Sequence, residues 1–395
     1  MSVVLSLVRG YRLIYFDNSA TTKIDSRVLN TYQQVAAQYW GNPSSLHQLG
    51  DSATQLLQQA RQQIAMLMHC QADEIFFTSG GSEGDNWVLK GTALAKRKFG
   101  RHLIVSSIEH PAVLNTARQL EKLGWEVTYL PVDRAGFVDP EAVRQALRPD
   151  TVLVSVMAVN NEVGTVQPIA KIGAILEQRP TIHLHVDAVQ AVGKHLFPQG
   201  LPKRVDFATF SAHKFHGPRG VGFVYANHNR KLAPLINGGG QEQNLRSGTE
   251  NLAGIAAMSK AFRLAVENEA KDAARQRRLR QDLYDYLAAL PDIHLFSPQS
   301  TGAAPHILCF ALDGVRGETV VHALEEQDIY LSTTSACSSR NGQPSTTLMA
   351  MKVPEHLASD AVRISLDADN TAAEVSAFKQ AFQKIYQRFE HMNRR

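Results

Sequence analysis

Short apolar runs of strand composition recur through the first two-thirds of the chain, and that recurrence limits the folds open to it. The runs are EIFFTSG (74–80), HLIVSS (102–107), WEVTYLPV (125–132), TVLVSVMAV (151–159), HLHVDAV (183–189), VDFATF (205–210) and GVGFVYA (220–226). Helix-like stretches lie between them, such as EGDNWVLKGTALAKRK (83–98) and PAVLNTARQLEKLG (111–124). Strands alternating with helices predict an α/β fold, a largely parallel sheet covered on both faces. VDFATF and GVGFVYA have no helix between them, which predicts one antiparallel or tightly turned pair there. From about residue 251 the texture changes to a proline-free run of helix formers, ENLAGIAAMSKAFRLAVENEAKDAARQRRLRQDLYDYLAAL. It reads as one long helix joining two domains. Strand candidates HILCFAL (306–312) and AVRISL (361–366), with helices near 317–327 and 372–390, then predict a smaller α/β domain.

A chain of 395 residues is long enough for two such cores. Its 41 basic and 37 acidic residues nearly balance, which argues against a stable nucleic-acid or anionic-membrane partner. No apolar run approaches the ~18 residues of a membrane span. The N-terminal VVLSLV is too short for a signal-peptide core and reads as a packed segment. Three distant cysteines, Cys70, Cys309 and Cys337, form neither a disulfide framework nor a CxxC site. They suit a reducing compartment, so a cytoplasmic protein is expected.

In open α/β sheets ligands gather beyond the carboxyl ends of strands. EIFFT runs into Gly80, Gly81 and Ser82 just before a helix, either a phosphate-binding start or a common capped glycine turn. His110 follows HLIVSS, and Asn160 and Asn161 follow TVLVSVMAV. His183, His185 and Asp187 alternate along one strand and so share a face. They are either metal ligands or two packed or exposed histidines beside a functional aspartate, with Gln190 just beyond; the second reading is preferred and no metal is expected. VDFATF ends in Ser211, Ala212, His213 and Lys214, where Lys214 is either a surface lysine or a reacting amine. Together these strand ends supply a phosphate cradle, a carboxylate, a flat imidazole and an amine. That set matches pyridoxal phosphate: a lysine for the aldehyde, an acid for the ring nitrogen, and hydroxyls and N–H groups for the phosphate.

The chain resembles the NifS/IscS-type cysteine desulfurases, pyridoxal-phosphate enzymes of the aspartate-aminotransferase fold. The resembling pieces run in order: FDNSATTKID, GNPSSLHQLG, FTSGGSEGDN, IEHPAVL, VNNEVGTVQPI, HVDAVQAVGK, SAHKFHGPRGVG, GGGQEQNLRSGT and TSACSS. The resemblance implies a large cofactor-binding domain, residues 15–262, with a seven-stranded, mostly parallel sheet. It implies a small domain, residues 263–395, with residues 1–14 packed on it. It implies that Lys214 bonds the cofactor's aldehyde, Asp187 pairs with the pyridinium nitrogen, and Gln190 reaches the phenolic oxygen with Asn161 near it and the substrate. It implies that His110 stacks on the ring and that Gly81, Ser82, Ser211 and His213 bind the phosphate. Thr249 would reach the phosphate of a second subunit, which implies a homodimer. Arg363 would hold the substrate carboxylate, a task suited to a guanidinium fork. The chain departs from the usual family pattern at Gly81-Ser82, which replaces Ala-Thr but keeps a hydroxyl. It departs also at Ala212, which replaces Gly, and in LSTTSACSS around the cysteine.

Cys337 lies in the polar, small-residue stretch STTSACSSRNGQPSTT, which reads as a mobile loop, whereas Cys309 sits in an apolar run and Cys70 has no motif around it. The resemblance makes Cys337 the persulfide carrier that takes sulfur from L-cysteine, leaves L-alanine and hands sulfur on for iron–sulfur assembly or tRNA thiolation. Another pyridoxal-phosphate enzyme of this scaffold is the alternative: a selenocysteine lyase, a kynureninase-like lyase or an aminotransferase. A transaminase has no need of Cys337. A sulfur-carrier or scaffolding protein that has lost catalysis would not need Lys214.

Overall fold

A computed structural model describes residues 13–299, 302–334 and 344–393, with side chains to 389. Cys337 and the VVLSLV segment lie outside the described residues. The chain divides into two units, Thr21–Asn161 with Thr165–Asp272, and Met1–Ala20 with Glu162–Gly164 and Ala273–Arg395.

In chain order the elements are β1 (Ile14–Tyr15), α1 (Ser26–Gln38), α2 (Gln48–Met68), β2 (Ile75–Thr78), α3 (Gly81–Lys96), β3 (His102–Ser106) and α4 (Pro111–Lys122). Then come β4 (Glu126–Leu130), α5 (Pro140–Ala146), β5 (Thr151–Ser155), α6 (Ile169–Leu176), β6 (His183–Asp187), β7 (Phe207–Ser211), β8 (Gly222–Ala226) and α7 (Leu252–Glu267). The remainder are α8 (Glu269–Ala288), β9 (Ile293–Leu295), β10 (Ile307–Leu312), α9 (Gly317–Glu325), β11 (Ile329–Tyr330), β12 (Ser332–Thr333), α10 (Thr346–Ala350), α11 (Glu355–Asp360), β13 (Ala361–Ser365) and α12 (Ala372–Asn393).

In the first unit a seven-stranded sheet has the order β2-β8-β7-β6-β5-β3-β4. Only β8 runs against the rest, antiparallel to both β2 and β7, as the missing helix between VDFATF and GVGFVYA predicts. The parallel strands β3, β5, β6 and β7 are buried at every position; β3 and β5 accordingly read as near-continuous apolar runs, whereas β6, HLHVD, alternates and buries its polar residues as well. Helix starts carry their own signals. Pro111 opens α4 with His110 as cap, its Nδ1 accepting from Ala112 N–H at 3.1 Å. Asp139 and Pro140 do the same for α5. Phe210 and Phe223 stack at 4.4 Å, and Phe262 of α7 meets both edge-on, so α7 is fastened over the β7–β8 pair.

The single long helix expected after residue 251 is two. α7 ends at Asn268, whose side-chain amide donates to Leu264 O at 3.2 Å, and α8 begins at the next residue. An asparagine amide competing for a helical carbonyl explains the break.

In the second unit β10 is central, antiparallel to β9 and β13, with β12 at the edge, and β1 pairs in parallel with β11. Phe378 and Phe382 stack at 5.5 Å and pack edge-on to Phe16 and Phe310 to form its core.

Candidate active site

β2 delivers the chain to Gly80, whose φ of 151° is open to glycine, and α3 starts at the next residue. The helix lies hard against the sheet. A Cβ on Gly81 would stand 2.8 Å from Val189 Cγ2, and one on Gly84 would stand 2.6 Å from Thr209 Cγ2. This seating brings the N-terminus of α3 beside Ser211 at the end of β7, whose Oγ is 3.5 Å from where a Cβ on Gly80 would sit. The N–H groups and positive dipole end of this helix start, with Ser211 beside it and Ser82 in its first turn, have the chemistry to take an anion.

After Ser211 the chain turns once through Ala212–Lys214. Ala212 N–H donates to Val221 O at 3.1 Å, and Thr22 N–H donates to His213 O at 2.8 Å. Phe215 is buried and edge-on to Phe262 at 5.7 Å. The turn is therefore fixed on both sides of the half-buried Lys214. Burial, with Lys214 and Arg219 nearby, holds His213 down to about 4, so its imidazole is neutral at pH 7. Its Nδ1 lies 3.1 Å from Thr21 Oγ1.

His110, Asp187 and Lys214 stand within one another's electrostatic reach. Burial pushes Asp187 up, opposed by His110, the Val189 N–H and Lys214. Burial pushes His110 down, opposed by Asp187. Two further carboxyls face Asp187, neither singled out by the sequence. Burial and Asp187 raise Glu109 to about 8, although Oε1 accepts from Met157 N–H at 2.7 Å. Burial and Asp187 also raise Asp85, which lies 3.5 Å from His185 Nε2.

His185 is enclosed, with Nδ1 2.8 Å from Ser155 Oγ and Nε2 3.0 Å from Thr209 Oγ1; burial holds it down to about 3. His183 Nδ1 lies 3.0 Å from Thr92 Oγ1. Both histidines are packed, hydrogen-bonded groups under the sheet. Among the described residues no cluster of His, Cys, Asp and Glu is poised for a metal.

Gln190 is buried and Asn161 half-buried, both just past strand ends, while Thr249 is exposed on the loop that also carries Arg246. Arg363 belongs to the other unit, on β13, where its Nη2 donates to Asp17 Oδ1 at 2.8 Å. Burial pushes the Cys70 thiol up to about 12 and raises that of Cys309, so neither is a ready thiolate.

The donor set fits pyridoxal phosphate. The α3 start, held close to the sheet by glycines that leave no room for a Cβ, and Ser211 beside it suit an anion. Asp187, a buried carboxyl within electrostatic reach of Lys214 and His110, suits a pyridinium proton. Lys214 supplies an amine held by a fixed turn.

The class-V aminotransferase profile matches residues 14–378. A NifS/IscS homologue from Lactobacillus delbrueckii subsp. bulgaricus is 56% identical over 96% of this chain and 99% of its own length. A cysteine desulfurase IscS from Clostridium botulinum is 40% identical over 96% of each. A solved NifS-like protein, 40% identical, superposes with a TM-score of 0.89 over 95% of this chain and 99% of its own. A structure titled SspA in complex with cysteine, 33% identical, does so at 0.77 over 91% of this chain and 100% of its own.

Proposed function

This chain belongs to the class-V aminotransferase family and is a pyridoxal-phosphate-dependent cysteine desulfurase, and from its site we infer which residues carry the reaction. The convergence of His110, Asp187 and Lys214 beside the α3 N-terminus supports the assignment most directly. When bound, the cofactor supplies an aldehyde that condenses with amines and a cationic ring that takes up the electron pair released at the substrate Cα. Asp187 would hold the ring-nitrogen proton. His110 flanks the ring, and its depressed basicity leaves the imidazole free to carry a proton. Lys214 would hold the aldehyde through its amine, and its Nζ, once free, would accept the proton from the substrate Cα. Gly81, Ser82, Ser211 and His213 would hold the phosphate, and Gln190 and Asn161 would serve the phenolic oxygen. Arg363 receives the substrate carboxylate. The Cys337 thiolate attacks the sulfur of L-cysteine: the Cβ–S bond breaks, an S–S bond forms, and alanine leaves from a persulfidic Cys337. No outside oxidant enters that balance.

The finer reading is a homodimer, with Thr249 reaching the partner's phosphate. Sulfur then passes to an acceptor protein of iron–sulfur assembly or tRNA thiolation, in the cytoplasm. The exposure of Thr249 supports the first part, and persulfide chemistry in a chain of few cysteines suits a reducing compartment.

Two variants test the core of the proposal. Lys214→Ala should lose the visible absorbance of the lysine–cofactor bond. Cys337→Ala should keep that absorbance but form no persulfide from cysteine. Alanine and persulfide should appear in equal amounts in the parent. Alanine release at the parent rate from Cys337→Ala would refute the role of Cys337 and favour another pyridoxal-phosphate lyase or transaminase.

A further inference from the structure

Glu83 lies in the first turn of α3, next to Ser82, and its side chain curls back over the helix start. Its Oε2 accepts from Ser79 N–H at 2.9 Å. With the cofactor bound, the positive end of one helix would face two anions, a protein carboxylate and the phosphate. The Glu83 side chain is only 12% exposed, so water does little to screen it. Arg246 meets it in a two-point grip, Nε to Oε1 at 2.8 Å and Nη2 to Oε2 at 3.1 Å. Burial pushes Glu83 up, yet the bonds from Arg246 and Ser79 outweigh it and keep the carboxyl below its usual range. No other ion pair to Glu83 occurs among the described residues. Arg246 comes from a distant loop, fixed by Ser247 Oγ donating to Gly239 O at 2.7 Å and Ser247 N–H to Ile236 O at 3.2 Å.

We infer that Arg246 is a positioning residue for the cofactor phosphate, because it neutralises and holds aside the Glu83 carboxylate at the phosphate-binding end of α3. The inference rests on the phosphate seat assigned above to Gly81, Ser82 and Ser211. It makes the RSGT loop part of the cofactor site of its own chain, independent of what Thr249 does for a second copy.

The test compares pyridoxal phosphate with phosphate-free pyridoxal on the full-length enzyme stripped of cofactor and refilled. Visible absorbance gives both dissociation constants, and their ratio isolates the phosphate. Arg246→Ala should shrink the phosphate advantage by ~10-fold, the scale of one like-charge contact at a partly buried site, and leave pyridoxal binding unchanged. Arg246→Lys should keep most of the advantage. Glu83→Gln should keep or raise it, and Glu83→Gln with Arg246→Ala should restore it. An unmoved ratio in Arg246→Ala, equal loss of both ligands, or a low ratio in the double variant would overturn the inference. Should Arg246→Ala fail to fold, a fallen ratio in Glu83→Gln overturns it equally. Ser82→Ala with Ser211→Ala checks the seat. An unmoved ratio there refutes the seat and the inference together, whereas a loss there but not in Arg246→Ala refutes the inference alone.

Discussion

The guanidinium of Arg61 grips both carboxylate oxygens of Glu242, at 2.8 and 2.6 Å, with neither side chain more than a tenth exposed. The same carboxylate accepts Phe77 N–H from β2 at 2.8 Å, and the guanidinium lies 4.5 Å over the Phe77 ring. Glu242, Gln243 and Asn244 all have φ between 46° and 63°, an unfavourable run for residues with a Cβ. One buried pair thus ties α2, β2 and a strained loop together.

Removing one partner of that pair leaves a buried charge unmatched. Glu242→Gln or Arg61→Met should lower unfolding free energy by about 3–5 kcal/mol, read from urea midpoints at constant slope. Replacing both by apolar residues should recover only part, because Phe77 N–H loses its acceptor. Single variants within ~1 kcal/mol of the parent would show the pair to be dispensable.

Gly84 has no polar role, yet Thr209 and Val224 leave its Cβ no room, at 2.6 and 2.9 Å. Gly84→Ala should therefore destabilise by about 1–3 kcal/mol through overpacking, measured by thermal or urea unfolding. It should also weaken cofactor retention on dialysis, because lifting α3 moves its N–H groups. Parent-like stability and retention together would contradict the close seating of this helix.

Glu109 is raised to about 8 in the folded chain, against ~4.3 when unfolded. Between those values the folded state keeps a proton that the unfolded state has lost. The stabilisation belonging to this group is complete at low pH and disappears as pH rises toward 8. Glu109→Gln should consequently melt with a shallower pH dependence between about pH 4.5 and 8, the curves separating by an amount of the order of a few kcal/mol. Parallel curves would mean that Glu109 is ionised throughout.

Strands buried on both faces announce themselves as apolar runs, so β3, β5 and β7 were legible, as was Ser211 where β7 ends; β6 was legible instead from its alternation, with Asp187 at its end. Glu109 and Asp85 were not. A lone acid past a strand or within a helix reads as a solvated group, and its burial exists only once β3, α3 and β6 meet. The Arg61–Glu242 and Arg246–Glu83 pairs join residues far apart in sequence, which no local pattern records. The break at Asn268 depends on one side-chain amide in a segment of otherwise strong helix formers. Paired histidines on β6 looked able to bind a metal because alternation reports a shared face but not that hydroxyls of Thr92, Ser155 and Thr209 already occupy their ring nitrogens.

The reversed strand β8 has a consequence for the order of assembly. Lys214 sits in the short link from Ser211 to Gly222, closed by a local antiparallel pairing rather than a long crossover. Short-range contacts lose little chain entropy on closing and can form early, whereas the parallel strands β3, which leads to His110, and β6, which ends in Asp187, wait for distant segments. The link that carries the reacting amine can thus close early, while its final seating waits for Thr22 to bond His213 and for Phe262 to pack on Phe215.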